Sequence, residues 1–258
     1  MSLESLDEYQ SVFNCSLVVV EVAGNRREIS MPVTRLLIAG WAARDQSAAE
    51  AHIRELEALG VPRPQKTPDF YHLSRSLLTT APEIEVMGHD STGEVECVLF
   101  SSGGELFVGV GSDHTDRRAE LWGITLAKQL CAKPISPEVW NYRDVVSHWD
   151  ELVLRSYAIS DRGRILYQEG EASLLFPPLE LMDVYNRRYG CAPASDTAMF
   201  CGTVPALEPI YWADVFCIEL YDPVLNRRLT HQYRVRPLAV EGAYAMLPAG
   251  VVVTGTGT

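Results

Sequence analysis

No two cysteines in this chain stand at C-x-x-C spacing, and none falls into a Cys/His pattern typical of a metal site. Cys15, Cys97, Cys131, Cys191, Cys201 and Cys217 occur singly, mostly among apolar residues, and read as reduced, buried thiols rather than a disulfide framework or zinc ligands. Long apolar runs are also missing: no stretch approaches the roughly 18 apolar residues of a membrane span. The acidic segment Met1 to Gln10 lacks the basic start of a signal peptide. Clustered positive charge is the third absence. Lys and Arg number 22 against 34 Asp and Glu, giving a net charge of -12, and they are scattered, which argues against a nucleic-acid surface or an anionic membrane as partner. A cytoplasmic location is expected, and any anionic ligand needs a local cation to hold it.

What is present is an ordinary globular composition. With 258 residues and 47% hydrophobic content, the chain has room for one large domain, or for one domain plus a smaller one. Phe13 to Val22 and Arg27 to Met31 are β-rich runs around Gly24-Asn25, a hairpin turn signal. Ser47 to Leu59 carries Ala48, Ala49, Ala51, Ile53, Leu56 and Leu59 at helical spacing, with Ser47 able to cap and Gly60 and Pro62 to stop it. Beyond Pro68 short strands dominate, with helices expected near Arg117 to Cys131, Tyr142 to Leu152 and Pro178 to Arg188. No internal repeat or low-complexity linker interrupts this order. The expected division is a small N-terminal β element (1–45), a main domain (46–240) and a C-terminal tail (241–258).

The most informative run extends from Glu94-Val95-Glu96 to Ser112-Asp113-His114-Thr115-Asp116-Arg117. In a strand, Glu94 and Glu96 share a face because the side-chain period is two. If Asp113 leaves the returning strand at the same end, three carboxylates meet with coordination positions to spare. Hard oxygen donors of this kind suit Mg²⁺, Mn²⁺ or Ca²⁺ better than zinc. The alternative is that Glu94 and Glu96 form the wet face of an amphipathic strand.

Several stretches, in collinear order from Gly40 to Arg236, resemble the fumarylacetoacetate hydrolase superfamily. His52-Ile53-Arg54-Glu55 matches the H-x-x-E core of that family's lid segment, and Pro68-Asp69-Phe70-Tyr71-His72 its D-F-Y strand. Glu94-Val95-Glu96 and Asp113 to Arg117 resemble its metal-binding motifs. Lys128 ahead of Pro134-Ile135-Ser136-Pro137, Tyr167-Gln168-Glu169-Gly170, and Cys201-Gly202-Thr203-Val204-Pro205 resemble later ones. Departures are the absent Asn-Tyr pair of the lid, a missing second glycine after Thr203, and closer spacing of the two metal motifs. The pattern fits a divergent branch.

The resemblance implies a mixed α+β, β-rich fold: a fumarylacetoacetate hydrolase-like β-roll with peripheral helices, present as a homodimer. It implies a hydrolase or lyase that cleaves a C-C bond in a dicarbonyl or keto-acid substrate, by acylpyruvate-type hydrolysis or oxaloacetate-type decarboxylation, through a metal-stabilised enolate. Glu94, Glu96 and Asp113 would hold Mg²⁺ or Mn²⁺, with Ca²⁺ a further option and Asp69 a candidate fourth ligand. His52 and Glu55, one helical turn apart, would form a base dyad, and Lys128 would neutralise the developing oxyanion. Tyr71, His72, Arg117, Gln168, Gly202 and Thr203 would contact a small carboxylate substrate. The alternative within this fold is a metabolite-binding protein without turnover. Elsewhere, His114 is expected in the core or behind the metal ligands, His148 in a packed aromatic corner, and Trp122, Trp140 and Trp212 in core or dimer contacts.

Overall fold

A computed structural model describes residues 12–239, apart from 46, 48–49, 51–52, 55–56, 58–62, 65, 191–195, 208 and 210. The expected C-terminal tail, 241–258, therefore lies outside the described residues. In chain order the strands are β1 (Phe13–Val20), β2 (Arg26–Val33), β3 (Arg35–Gly40), β4 (Asp69–Leu73), β5 (Leu78–Thr79), β6 (Glu83–Met87), β7 (Ser91–Thr92), β8 (Val95–Ser102) and β9 (Glu105–Ser112). They continue as β10 (Thr115–Asp116), β11 (Lys133–Pro134), β12 (Glu138–Asn141), β13 (Val153–Ser160), β14 (Gly163–Glu171), β15 (Thr197–Thr203), β16 (Val215–Asp222) and β17 (Arg227–Leu238).

Two sheets account for most of them. The larger runs β2-β1-β12-β9-β8-β15-β3-β4 and the smaller β14-β13-β16-β17-β6. Strand β8 is buried along nearly its whole length, as its apolar run Cys97 to Phe100 requires, and Glu96 is buried with it. Cys97 and Leu99 pack toward Leu154, Ile218 and Leu220 of the smaller sheet, while Val98 and Phe100 point the other way. On that second side, Leu17 and Val19 from one end of the larger sheet join Leu36, Ile38 and Tyr71 from the other in one apolar cluster. Residues so far apart in strand order meet only because the sheet curls on itself, the β-roll expected from the motifs. Each fully buried side chain of this kind contributes roughly 1.5–3 kcal/mol.

The hairpin around Gly24-Asn25 forms, with Gly24 at φ 86°, and it extends the larger sheet because β1 pairs in parallel with β12. Of the expected first helix, Ser47, Glu50, Ile53, Arg54 and Glu57 are helical, and Ile53 is buried. The helix Pro178–Tyr189 forms as expected and ends at Gly190 in the left-handed region. Two other expectations need correction. Arg117 to Cys131 is not one helix but a 3₁₀ turn, Ala119–Leu121, and a short helix, Ile124–Gln129, because Gly123 at φ 151° breaks the run between them. Tyr142 to Leu152 forms two 3₁₀ turns, Tyr142–Asp144 and Val146–Glu151, with His148 outside helical geometry. There the imidazole turns to meet Asp222, 3.0 Å away.

Candidate metal centre

The β8–β9 ladder sets the geometry. Val95 pairs with Ser112 and Glu96 with Gly111, and just beyond, the Asp113 N-H donates to the Glu94 carbonyl at 2.9 Å. Glu94 thus stands immediately before the strand rather than inside it, yet stays in register with Asp113. Glu94, Glu96 and Asp113 each offer a carboxylate oxygen, and these oxygens all lie within 4.8 Å of one another. Such a cluster can hold a hard divalent cation.

Three cations surround it. Lys128 Nζ makes an ion pair with Asp113 Oδ2 and lies 3.8 Å from Glu94 Oε2. Lys133, fully buried, reaches Asp113 Oδ1 at 3.2 Å and donates to the carbonyls of His114 (2.5 Å) and Lys128 (2.6 Å). Arg117 spans Glu94 (2.8 Å) and Glu120 (3.0 Å) and donates through Nε to Thr92 Oγ1 at 2.7 Å. Sequence reasoning missed Lys133 and Glu120. Lys133 directly precedes the Pro134 to Pro137 run that drew attention to Lys128, and Glu120 sits at i+3 from Arg117, the spacing of a same-face ion pair.

Burial divides the acids. Desolvation, reinforced by the Asp113 charge, pushes Glu96 well above the usual carboxylate range. Asp113 moves the other way: burial alone would raise it, but Lys128 and Lys133 outweigh that and hold it low. For Lys128 the desolvation that would lower its pKa is overcome by Asp113, Glu94 and Glu96, and it is raised. Burial lowers Lys133 and raises Glu120.

Gly202, Thr203 and Gln168, expected to touch substrate, brace this cluster. The Gly202 N-H donates to Glu96 Oε2 at 2.8 Å, and Thr203 Oγ1 donates to the Val95 carbonyl at 2.8 Å. Gln168 accepts from the Val95 N-H at 2.9 Å and donates to Thr203 Oγ1 and the Val204 carbonyl. Gly202 sits at φ 94°, and a Cβ there would come 2.9 Å from Ala42 Cβ, so glycine serves both conformation and space.

Tyr71 stands at the edge of the cluster, its ring 5.8 Å from Lys128 Nζ and its hydroxyl accepting from Trp41 Nε1 at 3.1 Å. Burial pushes its pKa to about 12. Asp69, two residues earlier on the same strand, lies outside the group of three; its Oδ1 accepts from the Phe70 N-H and lies 3.7 Å from Arg188 Nη1. His72 points to the opposite face of β4, against the rings of Tyr185 and Tyr189. His52 and Glu55 lie outside the described residues. Beside Tyr71 opens a cavity of about 450 Å³, lined by Asp69, Tyr189, Arg63, Lys66 and Arg188 among others.

The remaining histidines serve packing. His114 is fully buried between Tyr233 (3.1 Å) and Ser91 (3.0 Å), and desolvation holds its pKa well below the usual value. His89 packs edge-on against Trp212, and His231 meets the Ala81 carbonyl at 3.2 Å. Trp140 is buried, whereas Trp122 is 52% exposed. Among the described residues, no helix is long and apolar enough to cross a membrane.

No curated protein matches the sequence. Among solved structures, the fold is similar to that of Cg1458 with inhibitor (TM-score 0.58, 15% identity, 86% of this chain and 89% of that one). It is also similar to a 2-keto-3-deoxy-D-arabinonate dehydratase complexed with magnesium and 2,5-dioxopentanoate (0.55, 14%, 92% and 82%). A third is the 4-oxalocrotonate decarboxylase from Pseudomonas putida G7 complexed with calcium and acetate (0.51, 14%, 77% and 76%). The fold is therefore that of the fumarylacetoacetate hydrolase superfamily, as the motif order implied. A family model described as "Protein of unknown function (DUF2848)" matches residues 39–233, and the chain belongs to that family.

Proposed function

We infer that this protein is a divalent-metal-dependent enzyme acting on a small keto acid, as a hydrolase or lyase that breaks a C-C bond. The observation that carries this reading is the convergence of Glu94, Glu96 and Asp113 around Lys128, which lies over the ring of Tyr71, a residue that lines a cavity with cationic side chains. The donor set is all carboxylate, with no His or Cys among the three, which fits Mg²⁺ or Mn²⁺, and Ca²⁺ as well. Fold neighbours complexed with magnesium and dioxopentanoate, or with calcium and acetate, support the same choice of ion and ligand class. When bound, the cation supplies Lewis-acid neutralisation of the charge that develops on the keto oxygen.

The chain's own residues do the rest. In a protein of net charge -12, Lys66 provides the local attraction that a carboxylate substrate needs at the cavity wall, where Arg188 is already paired with Asp69. Arg63 also lines the cavity, but its guanidinium is engaged by Glu50 and Glu57. Arg117 is committed to Glu94 and Glu120, so its part is to position Glu94 rather than to grip substrate. Gly202, Thr203 and Gln168 hold the strand that carries Glu96. His52 and Glu55 are proposed as the base that activates water, delivered from the helical segment before β4. A homodimer and a cytoplasmic location complete the reading.

Thermal unfolding with Mn²⁺ or Mg²⁺, alone and with oxalate, tests it, because a ligand that binds only the folded chain raises the melting temperature. The expected result is a rise with metal that oxalate enlarges and that Glu94→Gln abolishes. No rise under any condition would sink the three-carboxylate site and the enzyme reading with it.

A further inference from the structure

The three carboxylates already have a cation among them. Lys128 Nζ contacts Asp113 Oδ2 and lies 3.8 Å from Glu94 Oε2, so the ammonium stands against two of the three side chains that would ligate a metal. Its side chain is only 8% exposed, which makes the position a packed one rather than a surface excursion. The other contacts leave little spare charge. Asp113 Oδ1 is met by Lys133 and Glu94 Oε1 by Arg117, while Glu96 Oε2 accepts the Gly202 N-H. Counting Glu120, four acids face three fixed cations. A divalent ion added alone would shift the net charge of this cluster by two positive units, in a buried place where unbalanced charge is costly. A dianionic chelator arriving with it would restore the balance.

We propose that Lys128 is a resident counter-ion which a divalent cation must displace, so that this site takes up metal poorly by itself and well only together with a chelating dianion. The inference rests on the metal-dependent reading given above. An ammonium and a divalent ion held against the same carboxylates repel each other strongly at a few ångströms, even in a moderately polar interior. The Tyr71 ring, whose centroid already lies 5.8 Å from Nζ, offers a π face at the cavity wall toward which the ammonium can move once its carboxylate oxygens are taken. There it would meet the incoming carboxylate. Metal and anion therefore help each other to bind, with Lys128 as the coupling element. Lys133 cannot play this part, since its ammonium is tied to two backbone carbonyls as well as to Asp113.

Mn²⁺ titration of the intact protein, followed by the electron paramagnetic resonance of the free ion, decides the matter without reference to turnover. For the native chain, weak uptake of Mn²⁺ alone and clearly tighter uptake with oxalate are expected. Lys128→Gln should bind Mn²⁺ alone tighter by about tenfold or more, as expected when a competing charge is removed, and should lose most of the oxalate enhancement. Lys128→Met, closer in shape, guards against a packing artefact. Both variants should melt lower than the native chain without metal and regain stability with it. Equal or weaker Mn²⁺ binding by both variants would overturn the proposal while leaving the metal centre intact, as would native binding indifferent to oxalate. Absence of Mn²⁺ binding by native chain and variants alike, with or without oxalate, would remove the metal reading itself.

Discussion

Glu96 is the acid on which burial acts most one-sidedly. It is 2% exposed, it receives one backbone N-H from Gly202, and desolvation and the Asp113 charge favour its protonated form. A neutral amide of the same shape can accept the same hydrogen bond. Glu96→Gln should therefore change stability by no more than about 1 kcal/mol, while eliminating the combined effect of metal and oxalate on melting. A large loss of stability would mean that the ionised carboxylate holds the fold together. Gly202 is the opposite case, a residue with no side chain whose backbone is essential. Gly202→Ala forces a positive φ and a 2.9 Å approach to Ala42 Cβ, and should cost about 1–3 kcal/mol. Denaturant unfolding measures that cost, and an unchanged midpoint would show that the β15 backbone relaxes freely.

At the scale of elements, the β16–β17 hairpin depends on one buried carboxylate. Asp222 Oδ1 accepts from the N-H groups of Val224 (3.1 Å) and Leu225 (3.0 Å) and from His148 Nε2, and Oδ2 accepts from Arg227 Nε at 3.1 Å. The Arg227 guanidinium also lies 4.3 Å over the Trp140 ring, tying the hairpin to the larger sheet. Burial would raise the pKa of Asp222, but the Leu225 N-H, His148 and Arg227 outweigh it and leave it lowered. A lowered folded-state value means that stabilisation is complete above the unfolded value of about 3.9 and is lost as pH falls below it. Asp222→Asn should cost about 3 kcal/mol near neutral pH, and the variant should lose less stability than the native chain on acidification to pH 3. Parallel acid curves would refute this account.

For the whole molecule, the curl of the larger sheet is decisive. The N-terminal hairpin contributes Cys15, Leu17, Val19, Met31 and Val33 to the apolar cluster that also contains Val98, Phe100 and Phe200. Removing residues 12–33 would expose that cluster and open the edge of β12, so the shortened chain should lose its cooperative unfolding transition. A sharp transition retained by that chain would instead make the hairpin an independent appendage.

The amino-acid sequence by itself determined the β-rich class, the hairpin at Gly24-Asn25, the helix from Pro178 and the acids of the cluster. Each is written in a local signal: alternation, a turn glycine, a proline at a helix start, or two glutamates one residue apart before an apolar run. Tertiary structure alone decided which cations answer those acids. Lys133 comes twenty residues after Asp113, and their meeting depends on the turn at Gly123 and on the β5–β11 pairing that returns the chain to the sheet. It also decided that Asp69 faces Arg188 instead of the cluster, and that Gly202, Thr203 and Gln168 support Val95 and Glu96 from behind. Electrostatic partners are chosen by distance in space, and residue spacing encodes that distance only within one element.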